Sequence, residues 1–496
     1  MSTRFLTTLI LTSAILAGCC REKVEPLDEP LDLVQFAQNL KGFSLQGKFI
    51  YPWMNEGYKE EEFIMIKDLG FNFVRLPIDY HTYTSPDDWN VFIDEEVAEI
   101  DQAVEWGRSY GIHVCLNLTR VPGYATNSNY ELWTHEDAQQ AFVNHWAFWS
   151  EHYKNIPNTE LSFYLMGEPG GESEGTMVPV LKKAIDKIYD ISPNRVIFVN
   201  GPSFASVLMM SLKGMPNVIQ ALHVYEPHSL THYEAEWVPA AFAYPAPSWP
   251  MDDISWYLYG PAFNNLQSPL VLQGKFSAGT EVIVTVFQVE NSANLEISLD
   301  DITIFSKHFL CTSDPDEDFT IILPTQWGYQ NISGKNYSVI LPSSGEKLAF
   351  SNTEGSWLIF SQITFKSDTG EFVIKSGLTT WGLSQDSYKI TDNGKITYSN
   401  GDPMLPMGRL IKTLEMARGE NIPVMITEFG VYNKTPHDLT IDYLTDLVDI
   451  FKQYNLGFAM WNFVGTMGII DSNREDCDYE PYNGRLLDRE MLAIMQ

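Results

Sequence analysis

Apolar residues along this chain follow two different rhythms. In residues 40–262, and again from about 402 to the end, apolar runs of strand length alternate with stretches of helical period. The runs are Phe71 to Leu76, Gly111 to Leu118, Leu161 to Glu168, Arg195 to Asn200, Val218 to His223, Pro423 to Glu428 and Gly457 to Asn462. A further strand is expected near Leu40 to Ser44. Between them Glu60 to Leu69, Glu95 to Tyr110, Val178 to Tyr189 and Asp442 to Tyr454 are amphipathic with a helical repeat. Such alternation predicts a parallel sheet wrapped in helices, and eight units predict closure. The fold class is therefore α/β, a (β/α)8 TIM barrel over residues 36–262 and 396–496.

The second rhythm occupies residues 263–395, where short period-2 runs such as TEVIVTVFQV, NLEISLDDITIF, KNYSVILP and SWLIFSQITF replace the alternation. Turns such as Ser-Gly-Glu and Thr-Gly-Glu separate them, and no useful helical period appears. This pattern predicts an antiparallel β-sandwich. Its position between the sixth strand and a helix beginning near Met404 makes it an insertion in the sixth βα-loop. Long insertions there are tolerated because loop-closure entropy grows slowly with length. Trp327, Trp357 and Trp381 are candidate sugar platforms on the sandwich, against the ordinary role of tryptophan in a small β-core. Placed over the barrel's loops, the sandwich is also expected to close one end of a cleft.

Composition narrows the partners. Acidic residues outnumber basic ones 64 to 32, and the formal net charge of −32 opposes a nucleic-acid partner. With 44% hydrophobic and 19% charged residues the chain has the make-up of a globular protein. At the N-terminus Arg4 precedes an apolar stretch, Phe5 to Leu16, and then Ala17-Gly18-Cys19, which reads as an export signal. Leu16-Ala17-Gly18-Cys19 resembles a bacterial lipobox, so residues 1–18 are expected to be a signal peptide and Cys19 a lipidated N-terminus. Residues 19–35 then form a charged, Pro-spaced tether, and the expected location is a bacterial membrane, periplasmic or cell-surface, reached only through the lipid. A monomer is expected. Cys115, Cys311 and Cys477 are far apart and show no metal or redox spacing, so no metal or other cofactor is expected.

The chemistry sits at two strand ends. Glu168 closes LSFYLMGEP and Glu428 closes the strand of IPVMITEFG, each followed by Pro or by Phe-Gly. A parallel barrel presents its active site at the carboxyl ends of its strands. Two carboxylates on different strands are the minimum for glycoside hydrolysis, one as proton donor and one as nucleophile or base.

Several motifs in order extend this reading. They are GFNFVRLPI (Gly70 to Ile78), LNLTRVPGY (Leu116 to Tyr124), FYLMGEP, HVYEPHSLTHY (His223 to Tyr233), ITEFG and WNFVGTMGIIDS (Trp461 to Ser472), with the tail DCDYEPYNGRLLDREML. Together they resemble glycoside hydrolase family 5, the cellulase-like retaining hydrolases, over nearly all of residues 40–262 and 402–496. The resemblance implies Glu168 as acid/base and Glu428 as nucleophile. It further implies that Arg75 and Tyr225 hold Glu428 ionised and aimed, that His223 tunes the pair, and that Trp461 floors the sugar subsite. The implied substrate is a β-linked glycan of the β-glucan or β-mannan type.

Three positions depart from the family pattern. Gly167 stands where the family has the Asn that binds the sugar 2-hydroxyl, Thr119 (followed by Arg120) where a His is usual, and Val464 where an Arg is frequent. Hydrogen bonds to the 2-hydroxyl strengthen in the transition state and are worth several kcal/mol. Either the subsite is remodelled for another sugar, or the chain is a catalytically weak sugar-binding surface lipoprotein. A third class, a metal-dependent barrel enzyme using the paired Glu, would need a His/Asp cluster that the sequence does not offer.

Overall fold

Eight strands pair in parallel around a complete circle in the structure, a computed structural model. They are β1 (Lys41–Ser44), β2 (Phe73–Asp79), β3 (His113–Arg120), β4 (Leu161–Tyr164), β5 (Ile197–Asn200), β6 (Val218–Val224), β7 (Val424–Phe429) and β8 (Phe458–Met460). Pairing of Lys41 with Phe458 closes the circle between β1 and β8. The structure describes residue 27 and residues 29–496, apart from 127, 171, 369, 379–380, 383, 392–393 and 400–406. Cys19, the signal segment and most of the expected tether lie outside the described residues.

Helices follow the strands: α1 (Glu60–Asp68), α2 (Asp94–Tyr110), α3 (Glu136–His152), α4 (Glu174–Ile191), α5 (Gly408–Gly419), α6 (His437–Tyr454) and α7 (Arg489–Met495). The acidic first turns of α1 and α2 favour the positive end of the helix dipole. Gly111 ends α2 in the left-handed conformation that a Cβ would resist. After β5 a single 3-10 turn, Met210–Leu212, takes the place of a helix, and Ser203, Phe204 and Ala205 all adopt left-handed φ.

Side-chain direction follows the period of two. Along β2 Val74, Leu76 and Ile78 face the helices and join the large outer core with Trp146, Trp149 and Phe163. Phe73 instead joins Cys115, Tyr164, Phe198, Ile219, Ala221, Met425 and Ala459 in a separate cluster drawn from seven strands. Ala37 and Leu40, from the helix Leu33–Gln38 and its exit, plug that cluster. Gly42 is required at the β1–β2 seam, where a Cβ would fall 1.7 Å from the Phe73 carbonyl oxygen.

Between β6 and α5 the chain builds two further sheets, of seven and six strands. They draw on strands from Asp252–Ser255 to Ile396–Tyr398, a wider stretch than residues 263–395. Tyr257–Tyr259 pairs with Trp357–Ser367, and Asp252–Ser255 with Gly370–Leu378. The two sheets share a core that includes Leu272, Val284, Ile297, Phe350 and Phe360. Barrel and sandwich meet at a second cluster, where Ala240 and Tyr244 pack with Trp256, Phe287 and Trp357. Trp357 is therefore a core residue, Trp381 lies half-buried beside it, and Trp327 is exposed. Away from this cluster, a cavity of about 400 Å³ is bordered by Val207 and Glu226 from the barrel, Leu410 from α5, and Gln385 and Tyr388 from the sandwich.

Trp146 on α3 is fully buried, packs at a tilt against Phe163 and donates from Nε1 to the Leu165 carbonyl at 3.2 Å. Trp146→Ala is expected to lower the stability of the barrel by about 3–5 kcal/mol. Urea unfolding followed by tryptophan fluorescence and far-UV circular dichroism would measure it.

Candidate active site

A register irregularity in β7 aims its carboxylate. Ile426 pairs with Leu222 and Glu428 with His223 on β6, so Thr427 is an extra residue in the ladder. A bulge of this kind turns adjacent side chains to the same side. Thr427 and Glu428 both reach partners inside the barrel: Thr427 Oγ1 lies 3.1 Å from the Tyr164 hydroxyl, and Glu428 meets Arg75.

Glu168 lies beyond the ladder of β4, which stops at Tyr164, four residues short of the sequence expectation. Beyond the ladder Glu168 adopts a left-handed φ of 47°. That conformation is uncommon outside glycine and needs support from its surroundings. The support is specific. The Glu168 N–H donates to Asn200 Oδ1 at 2.9 Å, and its carbonyl accepts the Tyr124 hydroxyl at 2.7 Å. The Gly170 N–H donates to the same hydroxyl at 2.9 Å, and Asn200 Nδ2 is fixed on the Ala221 carbonyl at 2.8 Å.

Electrostatics divide the two carboxylates. Arg75 is fully buried, and its Nη1 lies 2.5 Å from Glu428 Oε2. Its Nε donates to Asn117 Oδ1 at 3.0 Å, Nη1 also reaches Ser44 Oγ at 3.3 Å, and its Cζ lies 5.3 and 5.4 Å from the Tyr164 and Trp461 rings. The Tyr225 hydroxyl donates to Glu428 Oε1 at 2.9 Å. Burial alone would raise the Glu428 carboxyl. The charges of His223 and Arg75, with the hydrogen bonds from Arg75 and Tyr225, outweigh burial and hold it below its ordinary value of 4.5. Burial first, then the charges of Glu428 and Glu168, push the Tyr225 hydroxyl well above its ordinary value, so it stays a donor.

His223 links the pair. Its Nδ1 lies 2.9 Å from Glu168 Oε1 and 3.6 Å from Glu428 Oε2, while Nε2 lies 3.0 Å from the Tyr164 hydroxyl. One donor atom from each of Glu168, His223 and Glu428 falls within 4.8 Å of the others. Such a trio can also hold a cation, but here the Arg75 guanidinium already places a positive charge on Glu428.

The structure brings Arg75, Thr119, Gly167, Glu168, His223, Tyr225, Glu428 and Trp461 together at the carboxyl ends of the strands. Trp461 follows β8, edge-on to Phe49 at 4.8 Å. The two main departures from the family pattern touch one another. A Cβ on Gly167 would meet Thr119 Cγ2 at 3.0 Å and the Thr119 carbonyl at 3.2 Å. Thr119 Oγ1 in turn donates to Asn117 Oδ1 at 3.1 Å. Arg120 turns to Asp79, Nη1 to Oδ2 at 3.3 Å, and Val464 bridges Ile470.

Sequence reasoning assigned no role to Tyr164, Asn117, Asn200 or Tyr124. Asn200 had a signal: it is a polar residue closing an apolar strand run, as Glu428 is. Tyr164 and Asn117 lie inside apolar runs, at positions that the period of two turns toward the barrel axis.

Comparison with known proteins gives the following. Endoglucanase C of Acetivibrio thermocellus is 26% identical over 192 residues, covering 37% of this chain and 55% of that protein. Cellodextrinase A of Ruminococcus flavefaciens is 26% identical over 208 residues, 40% of this chain and 61% of that protein. This chain thus spans little more than half the length of such relatives. Among solved structures, a glycoside hydrolase superposes with a TM-score of 0.58 at 21% identity, covering 92% of this chain and 98% of that one. Cel5A of Thermotoga maritima, solved with mannotriose, gives 0.54 at 15% identity over 94% of this chain and all of that one. These likenesses show the shared barrel fold. Residues 29–268 match the model of the cellulase family, glycosyl hydrolase family 5.

Proposed function

We propose that the protein is a retaining glycoside hydrolase acting on a β-linked glucan. The observation that carries this reading is the approach of Glu168 and Glu428, whose carboxylate oxygens come within 4.8 Å of each other. Retaining enzymes hold the two carboxyl groups about 5–5.5 Å apart, whereas inverting enzymes keep about 6.5–9.5 Å to admit a water between them. In the first step a Glu428 oxygen attacks the anomeric carbon while the glycosidic C–O bond breaks and Glu168 gives its proton to the leaving oxygen. In the second step Glu168 takes a proton from water, the water oxygen bonds to the anomeric carbon, and Glu428 leaves. Arg75 and Tyr225 serve the nucleophile by keeping it ionised and fixed, and His223 orients Glu168. The family match and the β-glucan-active names of the curated relatives support the substrate class. We further propose attachment to a bacterial membrane through a lipid on Cys19.

Glu428→Gln is expected to abolish reducing-sugar release from a β-glucan panel run beside mannan, xylan and xyloglucan, and Glu168→Gln to lower kcat about 10²–10⁴-fold. Proton NMR of the first-formed product should show the β-anomer; release of the α-anomer would overturn the retaining reading. Because Glu428 must be ionised, activity should fall as pH drops through its lowered pKa. Tyr225→Phe removes a hydrogen bond that favours the ionised form, so the acid limb of the kcat/KM profile should move to higher pH. Cys19→Ala, expressed in a bacterial host, should move the protein from the membrane fraction to the soluble one.

A further inference from the structure

Two groups of three metal-type donors occur among the described residues, and only one is the pair of catalytic candidates with His223. The other is His437, Cys477 and Asp488, each offering one donor atom within 4.8 Å of the other two. We propose that these three side chains form a site for a single zinc-type divalent cation, which ties together the loops after β7 and β8.

The donor set selects the ion class. Imidazole, thiolate and carboxylate together suit zinc and its late-transition neighbours, whereas calcium and magnesium take oxygen ligands. The donors are also held before any ion arrives. His437 is the first residue of α6, and its main-chain N–H donates to Asp476 Oδ2 at 2.8 Å. Asp488 caps α7, its Oδ1 accepting the Met491 N–H at 3.0 Å, which leaves Oδ2 facing His437 Nε2 at 2.9 Å. The Asp488 and His437 side chains are 0% and 10% exposed. On the far edge of the imidazole Glu490 Oε2 lies 3.5 Å from Nδ1, the place of the carboxylate that commonly orients a metal-bound histidine.

The charges also balance. A divalent ion with one thiolate and one carboxylate is neutral, and Asp476 remains beside Arg474, which is buried nearby. Binding displaces two protons, the Cys477 thiol proton to solvent and the His437 Nε2 proton shared with Asp488 to solvent or to Nδ1 beside Glu490, and needs no other reactant. A water completes the four positions usual for zinc. Arg474 shows what the clamp would steady: its guanidinium donates to the carbonyls of Val431, Tyr432 and Thr435, in the segment leaving Glu428.

The test uses the full chain without a polyhistidine tag, stripped with chelator and titrated with zinc alone by calorimetry. One equivalent should bind in the wild type and in Glu428→Gln, which separates this site from the catalytic pair. Cys477→Ser should lose the stoichiometric binding, and Glu490→Gln should weaken it about 10-fold or more. Cobalt(II) should give a thiolate-to-metal charge-transfer band in the wild type and none in Cys477→Ser. Absence of zinc binding, binding unchanged in Cys477→Ser, or cobalt binding without that band would overturn the proposal and leave a metal-free hydrogen-bonded cluster. Loss of binding in Glu428→Gln would overturn it too, by placing the ion between the catalytic candidates.

Discussion

The buried Arg75–Glu428 pair constrains everything else at the carboxyl end of the barrel. A guanidinium taken wholly out of water is tolerable only with a charged partner and its remaining N–H groups satisfied. Ser44, Asn117, Glu428 and the Tyr164 and Trp461 rings meet that demand, and they come from β1, β3, β7, β4 and the end of β8. The pair therefore exists only in the closed barrel. The same closure makes Glu428 a stable anion, because the charges around it outweigh the cost of its burial.

Glu168 is held in a different way. Among the described residues no guanidinium pairs with it, and it has more solvent access, with 28% of its side chain exposed against 12% for Glu428. Its position comes from main-chain bonds to Asn200 and Tyr124 and from one side-chain contact, to His223. One carboxylate is fixed by charge, the other by backbone geometry. That asymmetry suits a nucleophile that must keep its charge and an acid/base that must exchange a proton with substrate and water.

Much of this was legible in the sequence. Strands buried on both faces announce themselves as unbroken apolar runs, so β2, β3, β5, β6 and β7 fall within a few residues of expectation. The end of β4 was misread, because Leu165 to Glu168 looks as apolar as a strand, and only the left-handed turn at Glu168 shows that the ladder has ended. Asp252–Ser255 and Tyr257–Tyr259 escaped notice as sandwich strands, since their pairing partners lie some hundred residues further on. Distance in sequence also hid Tyr164, whose hydroxyl matters only through His223 and Thr427. Charged residues within apolar runs were the clearest pointers to the site, whereas hydroxyl and amide groups in such runs were silent.

The contact between Gly167 and Thr119 joins two positions that look independent along the chain. A side chain at 167 would press on the backbone of β3 as well as on the Thr119 methyl, so removing the methyl alone would not make room for it. An amide at 167 would ask Thr119 at the end of β3 to give way by a few tenths of an ångström. Substitutions at these two positions are then coupled through packing as well as through the sugar they face.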